Sequence, residues 1–433
     1  MKYKLSEICT ITKGETGIMK AIPGEYTMIT LGEENKTHNE YQFDAKAVII
    51  QLVSTTGHGH ASMKRVKYFE GKFALGTILC AVIPKDETKV NAKYLHIYLH
   101  ENRERLLVSL MKGAANVSLP IKRLDNVEVV IPTMKKQLEI VELEKRISEK
   151  NLQFNKEYST QSHLFSRLRQ SILQEAIQGK LTAEWREQNP NTEPAAELLK
   201  RIKADASASS AAGNKGKIKK EKPLPPITEN EVPFELPEGW VWCRLGEIFS
   251  STSGGTPNRA NMKYWNGEIQ WYKSGELNDG ILEKESEEKI TELGYSESSA
   301  TLFPKGTLLI AMYGATAGKL SILNRDATTN QAVCGFFENE KIETKYLFYF
   351  LRANRSKMIE DSWGMSQPNI SQTYLRNFVF PLPPLSEQQA IVSKVETLLG
   401  KCNQLQAEIE NLNTHSKDLL KALFNETFEN RTE

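Results

Sequence analysis

Lys345-Tyr346-Leu347 and, a little further on, Asn354-Arg355 repeat Lys93-Tyr94-Leu95 and Asn102-Arg103 at a displacement of 252 residues. The match continues at a displacement of 251 without a gap: Leu124 with Leu375, Asn126 with Asn377, Pro132 with Pro383, Ile140-Val141 with Ile391-Val392, and Glu175 with Glu426. Upstream, Tyr3-Lys4-Leu5-Ser6-Glu7-Ile8 echoes Cys243-Arg244-Leu245-Gly246-Glu247-Ile248. A repeat of this period reads as a tandem of two similar halves, each long enough to bury its own core.

The same order of elements is expected in each half. The β-branched runs Ala47 to Val53 and Thr307 to Met312 read as strands. Amphipathic helices follow over 92–112 and 344–363, with Gly113 and Gly364 as their stops. Short strands over 126–131 and 377–382 then run into proline.

Beyond each proline the period changes. In the first half Ile140, Ile147, Phe154, Tyr158, Phe165, Leu168 and Ile172 fall at alternating steps of three and four, broken by Glu144, Asn151 and Gln161. In the second half the run is Ile391, Val395, Leu398, Cys402, Leu405, Ile409, Leu412, Ser416, Leu419 and Leu423. Such spacing predicts a coiled-coil seam, and Ser386 with Gln389 predicts a capping box at the second start. A helix of about forty residues spans on the order of 60 Å. Taken singly, either stripe fits homodimerisation or burial on its own domain; two matched rods favour pairing with each other.

The expected fold class is therefore α+β. Two tandem α/β domains, residues 1–132 and 236–384, are separated by two long antiparallel helices, 133–180 and 385–428, with a pseudo-two-fold internal repeat. Residues 181–235 form the linker. Ala196, Leu198, Leu199 and Ile202 keep helical spacing in its first part, and an Ala/Ser/Gly/Lys-rich tract ending in Pro223-Leu224-Pro225-Pro226 is expected to be flexible. Its lysines 215, 217, 219, 220 and 222 read as a solvated tract before they read as a phosphate contact.

Composition narrows the function. Lys+Arg 56 against Asp+Glu 54 leaves a net charge of +2 over 433 residues, so any basic surface must be local. Cys9, Cys80, Cys243, Cys334 and Cys402 are scattered without a CxxC pair, which argues against a zinc ribbon or a disulfide framework. With no apolar signal core near Met1 and no run of membrane-spanning length, a cytoplasmic protein is expected.

Catalytic motifs are missing. Gly314-Ala315-Thr316-Ala317-Gly318-Lys319-Leu320 has three residues between its glycines where a P-loop needs four, and Leu320 stands where the magnesium-binding hydroxyl belongs. His58-Gly59-His60 has no further ligand at metal spacing, and acidic clusters such as 283–288 read as solvated surface. No catalytic residue, metal site or chain-bound cofactor is expected.

What remains is a set of polar, glycine-rich loops whose side chains suit base edges and phosphates. In the first half the candidates are Thr55, Thr56, His58 and His60, then Lys64, Arg65 and Lys112, then Asn116, Ser118 and Lys122. In the second half they are Ser253, Gly254, Gly255 and Thr256; Trp271, Tyr272, Lys273 and Ser274; Tyr313, Thr316 and Lys319; and Asn330, Gln331, Gln367 and Asn369. Each turn alone is more often structural. Thr/Gly turns after similar strands, Val53 to Gly59 and Met312 to Gly318, point to a shared recognition role. A scaffold joining protein partners through two α/β heads is the alternative.

Three segments carry a specific resemblance: Leu236-Pro237-Glu238-Gly239-Trp240-Val241-Trp242; Pro383-Pro384-Leu385-Ser386-Glu387-Gln388-Gln389-Ala390-Ile391-Val392; and Gly179-Lys180-Leu181-Thr182-Ala183-Glu184-Trp185-Arg186 with Asn189-Pro190. Through them almost the full chain resembles the specificity subunit of type I restriction-modification enzymes. The resemblance implies two target-recognition domains, each reading one half of a split site in double-stranded DNA, held apart by two antiparallel helices. It implies no catalysis by this chain. Two modification subunits would dock on it and methylate adenine with S-adenosylmethionine, and motor-nuclease restriction subunits can join. In the first half Lys135-Lys136-Gln137 replaces the Ser-Glu-Gln of the second.

Overall fold

The computed structural model describes residues 1–55, 60–113, 117–211, 224–362 and 368–429. The architecture is mixed α+β, in two compact units: Met1–Tyr158 with Asn413–Glu433, and Ser159–Leu412.

In the first unit a six-stranded sheet runs in the order Cys9–Lys13, Leu79–Pro84, Phe43–Gln51, Lys67–Leu75, Tyr26–Ile29, Lys36–His38. All neighbours are antiparallel except the parallel pair Tyr26–Ile29 with Lys67–Leu75. In the second unit a five-stranded sheet runs Ser251–Ser253, Val333–Phe336, Leu308–Ala311, Leu320–Leu323, Gly280–Leu282, beside a three-stranded sheet built on Trp265–Tyr272. Each unit adds a two-stranded antiparallel ladder, Lys2–Lys4 with Glu128–Val130 and Val241–Arg244 with Val379–Leu382.

The repeat is legible in matched hydrogen bonds. Tyr94 donates its hydroxyl to the Val130 carbonyl at 2.7 Å, and Tyr346 does the same to Pro381 at 2.9 Å. Gln137 and Gln388 are both fully buried near the start of a long helix. Gln137 accepts from Asn91 N–H and donates to the Pro132 carbonyl; Gln388 accepts from Glu343 N–H and donates to the Pro383 carbonyl. Each amide thus ties a long helix to the start of an earlier one, Ala92–Glu101 or Thr344–Ala353, the satisfied pairing that a buried polar group requires.

Three expectations need correction. The helices expected over 92–112 and 344–363 break early: Ala92–Glu101 and Thr344–Ala353 end at Asn102 and Asn354. Each Asn leaves helical ψ and turns its amide back to a carbonyl four residues before, Asn102 to Tyr98 and Asn354 to Phe350, in competition with the helical ladder. Gly364 lies outside the described residues. The capping box of Ser386 and Gln389 does not form, because the helix already begins at Leu385, with the Pro384 carbonyl accepting from the Glu387 and Gln388 N–H groups.

The third correction concerns the long helices, Met134–Ile177 and Leu385–Glu429. Their sheltered stripes run 140, 144, 147, 151, 154, 158, 162, 165, 169, 172 and 391, 395, 398, 402, 406, 409, 413, 416. Ile140, Ile147, Phe154, Tyr158, Phe165 and Ile172 lie on the first; Ile391, Val395, Leu398 and Ile409 lie on the second. Leu168, Leu405, Leu412 and Leu419 do not: they are 46, 50, 63 and 63% exposed. Two successive steps of four shift the pattern to an eleven-residue spacing, nearer the 3.6 period of a straight helix than a strict heptad is. Arg169 and Gln406 take the sheltered positions and hydrogen-bond each other at 2.7 Å. The side chain of Leu423 lies outside the described residues.

A buried node in the second unit gathers all three segments that carry the resemblance. Glu387, 1% exposed, accepts from the Trp240 indole N–H at 2.8 Å, the Thr182 hydroxyl at 2.7 Å and the Arg186 guanidinium. Arg186 also donates to the Gly179 carbonyl at 2.8 Å. Gly179 has φ +69°, and a Cβ there would lie 2.7 Å from Pro237, so only glycine fits. The helix Ala195–Ala211 then buries Leu198, Leu199 and Ile202 in the core of this unit.

Candidate nucleic-acid interface

Register places the second-unit loops together. Ser253 pairs with Cys334 and Ala311 with Val333, so the segments 254–256, 312–319 and 329–332 leave the five-stranded sheet at one end. Gly254 N–H donates to the Val333 carbonyl and Gly255 N–H to the Thr329 carbonyl, both at 2.9 Å. A Cβ on Gly254 would sit 2.4 Å from the Thr329 carbonyl oxygen, which explains the glycine by close backbone approach. The Thr256 hydroxyl donates to the Gln331 side-chain oxygen. Asn330 N–H donates to the Tyr272 carbonyl, while Asn330 Oδ1 is buried without a hydrogen-bond partner.

Tyr313 bridges to Asn369, bringing a further loop to the same place. The loop holding Thr316 and Lys319 has left-handed glycines at Gly314 and Gly318 and runs on into the strand Leu320–Leu323, so no helix N-terminus stands behind it as in a P-loop. Arg355 clamps this loop from below. Its Nε donates to the Gly318 carbonyl at 2.8 Å, and its guanidinium makes a two-point ion pair with Asp279. Burial raises the Asp279 pKa, but Arg355 and the Leu320 N–H more than offset it, and the carboxyl lies below its ordinary value.

The stretch 271–274 is structural. Trp271 and Tyr272 are each 1% exposed; Trp271 donates to the Gly255 carbonyl at 2.9 Å and Tyr272 to the Lys284 carbonyl at 2.6 Å. Their rings sit in the core and hold the loops without facing solvent. Lys273 is paired with Glu287 and Glu288, and those bonds raise its pKa. Ser274 opens a short 3-10 turn.

The first unit assembles a counterpart. Val53 bridges to Ser118, the position matching Tyr313 with Asn369, and Lys112 exchanges backbone hydrogen bonds with Ser118 at 2.8 and 2.9 Å. The Thr55 hydroxyl is 2.8 Å from that of Ser62, and the His60 carbonyl accepts from Ser54. Arg103, the match of Arg355, donates to the Met63 carbonyl at 3.1 Å and so clamps the equivalent loop. Lys64 and Lys122 are exposed, whereas Arg65 is paired with Glu33 at 2.7 Å. Thr56, His58, Asn116 and Gln367 lie outside the described residues. Among the described residues no group of three or more His, Cys, Asp or Glu is placed to hold a metal, and no helix is long and apolar enough to cross a membrane.

Gly14 and Thr16 escaped the sequence reading. Gly14 N–H donates to the Leu79 carbonyl, a Cβ there would sit 2.3 Å from the Gly76 oxygen, and Thr16 bridges to Gly76. They stand to Gly254 and Thr256 as Tyr3 stands to Cys243, and extending that match by eight residues beyond Ile8 would have found them.

Comparison with known proteins places this geometry. Residues 1–161 and 237–413, one stretch in each half of the repeat, match the family described as "Type I restriction modification DNA specificity domain". The EcoEI specificity subunit of Escherichia coli is 29% identical over 69% of this chain, and the EcoAI specificity subunit of the same organism 30% identical over 69%. In both cases the chain spans about half the length of the relative, 50%. A chain from a structural study of complex assembly and conformational transition in the type I R-M system shares the fold, with TM-score 0.61 and 15% identity over 99% of this chain and 97% of that one. With the match covering both halves, the chain belongs to the family of type I restriction modification DNA specificity domains.

Proposed function

We propose that this chain is the DNA sequence-specificity subunit of a type I restriction-modification complex, each half reading one half of a bipartite site in double-stranded DNA. The observation that carries the reading is the recurrence of one loop cluster at the same sheet end in both halves, each clamped by the arginine of an Asn-Arg pair. Glycines there bring backbone N–H groups close, and Thr, Asn, Gln and Lys supply the donors and acceptors that base edges and phosphates require.

On this reading the long helices pair antiparallel and act as a ruler. Each compact unit combines the N-terminal part of one helix with the C-terminal part of the other, which favours that arrangement. Two recognition domains related by a pseudo-two-fold axis suit two half-sites on opposite strands. The exposed Leu152, Leu164, Leu412 and Leu419 offer apolar surface on which two modification subunits can dock. Those subunits would bind S-adenosylmethionine and methylate adenine, and motor-nuclease subunits would join for restriction. This chain contributes specificity and no catalytic group.

The test is to insert matched eleven-residue blocks, about three helical turns, into both long helices. The mapped methylation motif should keep both half-sites and lengthen only its spacer. An unchanged spacer in an active complex would contradict the ruler.

A further inference from the structure

The first unit holds a cleft of about 860 Å³ whose lining includes Lys2, Tyr98, Asn102, Arg105, Arg123 and Asn126. The second unit holds one of about 450 Å³ lined at the matching positions by Trp242, Phe350, Asn354, Lys357, Tyr374 and Asn377. The two are one feature of the repeated frame, lined differently. The second is walled by aromatic rings. The first is basic: Lys2, Arg105, Lys122 and Arg123 line it, none has an ion-pair partner among the described residues, and the carboxylate beside them is Glu128.

The second cleft shows what this place in the fold accepts. Residues from Pro225 to Phe234, a segment of the chain itself with one 3-10 turn at Glu229–Glu231, form one side of it. Arg244, 3% exposed, gathers the Pro225 and Pro226 carbonyls at 2.7 and 3.0 Å and the Glu231 carboxylate at 3.0 Å. The Phe234 ring lies 4.9 Å from that of Trp242. The segment is therefore held by its backbone carbonyls, one carboxylate and one aromatic ring. In the first unit Lys4 stands where Arg244 does and Lys2 where Trp242 does, both exposed, above an apolar floor that includes Leu106, Leu110 and Val127.

We propose that the first-unit cleft is the docking groove for an acidic segment of another polypeptide chain, which would lie against this face of the frame as Pro225 to Phe234 lies against the second. Residues 225–234 of this chain line the second cleft, and the charge of the first matches a carboxylate-bearing segment of a partner. Carboxylates meet Lys2, Arg105, Lys122 and Arg123, and an apolar side chain meets the floor. A polypeptide fits better than a nucleic acid, because the matching cleft is walled by a polypeptide segment and Leu106, Leu110, Val127 and Val130 line the first. The inference stands apart from the reading of the loops as DNA-binding.

The test uses the full chain and, as probe, a fluorescent synthetic peptide of residues 224–235, which carries Glu229, Glu231 and Glu235. Saturable binding is expected, weakened by roughly tenfold or more in Arg105→Glu with Arg123→Glu, or in Lys2→Glu, and by a peptide with its glutamates changed to glutamine. Lys305→Glu, an exposed lysine of the second unit, should leave it unchanged. Melting curves matching the parent chain exclude a folding defect. Absence of saturable binding, equal binding by the charge-reversed chains, or equal binding of the glutamine peptide would each overturn the proposal. So would loss of duplex DNA binding in Arg105→Glu/Arg123→Glu with peptide binding intact, which would make the cleft a phosphate site.

Discussion

The two halves share a frame and differ in how it is locked. In both, a buried glutamine, Gln137 or Gln388, ties a long helix to the start of an earlier helix, and a tyrosine closes the short ladder. One position before that glutamine the halves part. Glu387 is sealed in the node with Trp240, Thr182 and Arg186, whereas Lys136 meets Glu139 at the surface at 2.8 Å. The frame belongs to the repeat; the acidic lock belongs to the second half, where it fastens 179–186 and the strand entry at Trp240. A single carboxylate thus fastens the connecting segment to the second half.

The sharpest way to break that comparison is to remove the two matched residues. Glu387→Ala leaves Arg186 without its partner, and denaturation should show a loss of about 3–5 kcal/mol. Lys136→Ala should cost at most about 1 kcal/mol, as exposed pairs do. Equal costs would mean that the lock is not what distinguishes the halves.

The glycines test the shared part. Gly14→Ala and Gly254→Ala each push a methyl group against a backbone oxygen, and each should cost about 1–3 kcal/mol. Unequal costs, read by the same denaturation, would show that the two sheet ends are not built alike.

Asn330→Ala sharpens the assignment of the loops. Because Asn330 Oδ1 has no partner in the fold, the change should barely alter stability, yet weaken second half-site binding by roughly 1–3 kcal/mol in a mobility shift. Lost stability with unchanged binding would make Asn330 a turn residue.

A pH dependence sharpens the comparison further, through a histidine of the first unit. Burial, with Arg103 and His96 nearby, lowers the His100 pKa to about 4, and its Nδ1 accepts from Val66 N–H at 3.2 Å. Between the unfolded value of about 6.5 and 4 the unfolded chain binds the extra proton, so stability falls as pH drops through that window. His100→Gln should flatten the slope; an unchanged slope would place the titration elsewhere.

Much of this frame was legible in the sequence. Matched triplets such as Lys93-Tyr94-Leu95 and Lys345-Tyr346-Leu347 marked the repeat, and the proline-to-helix junctions marked the long helices. The seam was less legible, because Leu405, Leu412 and Leu419 keep a heptad that looks buried while the helix geometry favours the eleven-residue alternative carrying Gln406 and Asn413. The loops were found as a class, but not which side chains face out. Trp271 is a core residue whose indole finds the Gly255 carbonyl of a loop from the neighbouring sheet, a tertiary contact that no local pattern records. Glu387 stood inside a quoted motif, yet its role depends on Trp240 and Arg186, 147 and 201 residues away.

The most direct measurement is a genome-wide map of adenine methylation in a methylation-free host expressing this chain with the modification subunit proposed to dock on it. The account predicts a split motif with one methylated adenine in each half, and with Arg355→Ala a loss of discrimination confined to one half. A continuous motif, or no methylation from a complex that binds S-adenosylmethionine, would contradict it.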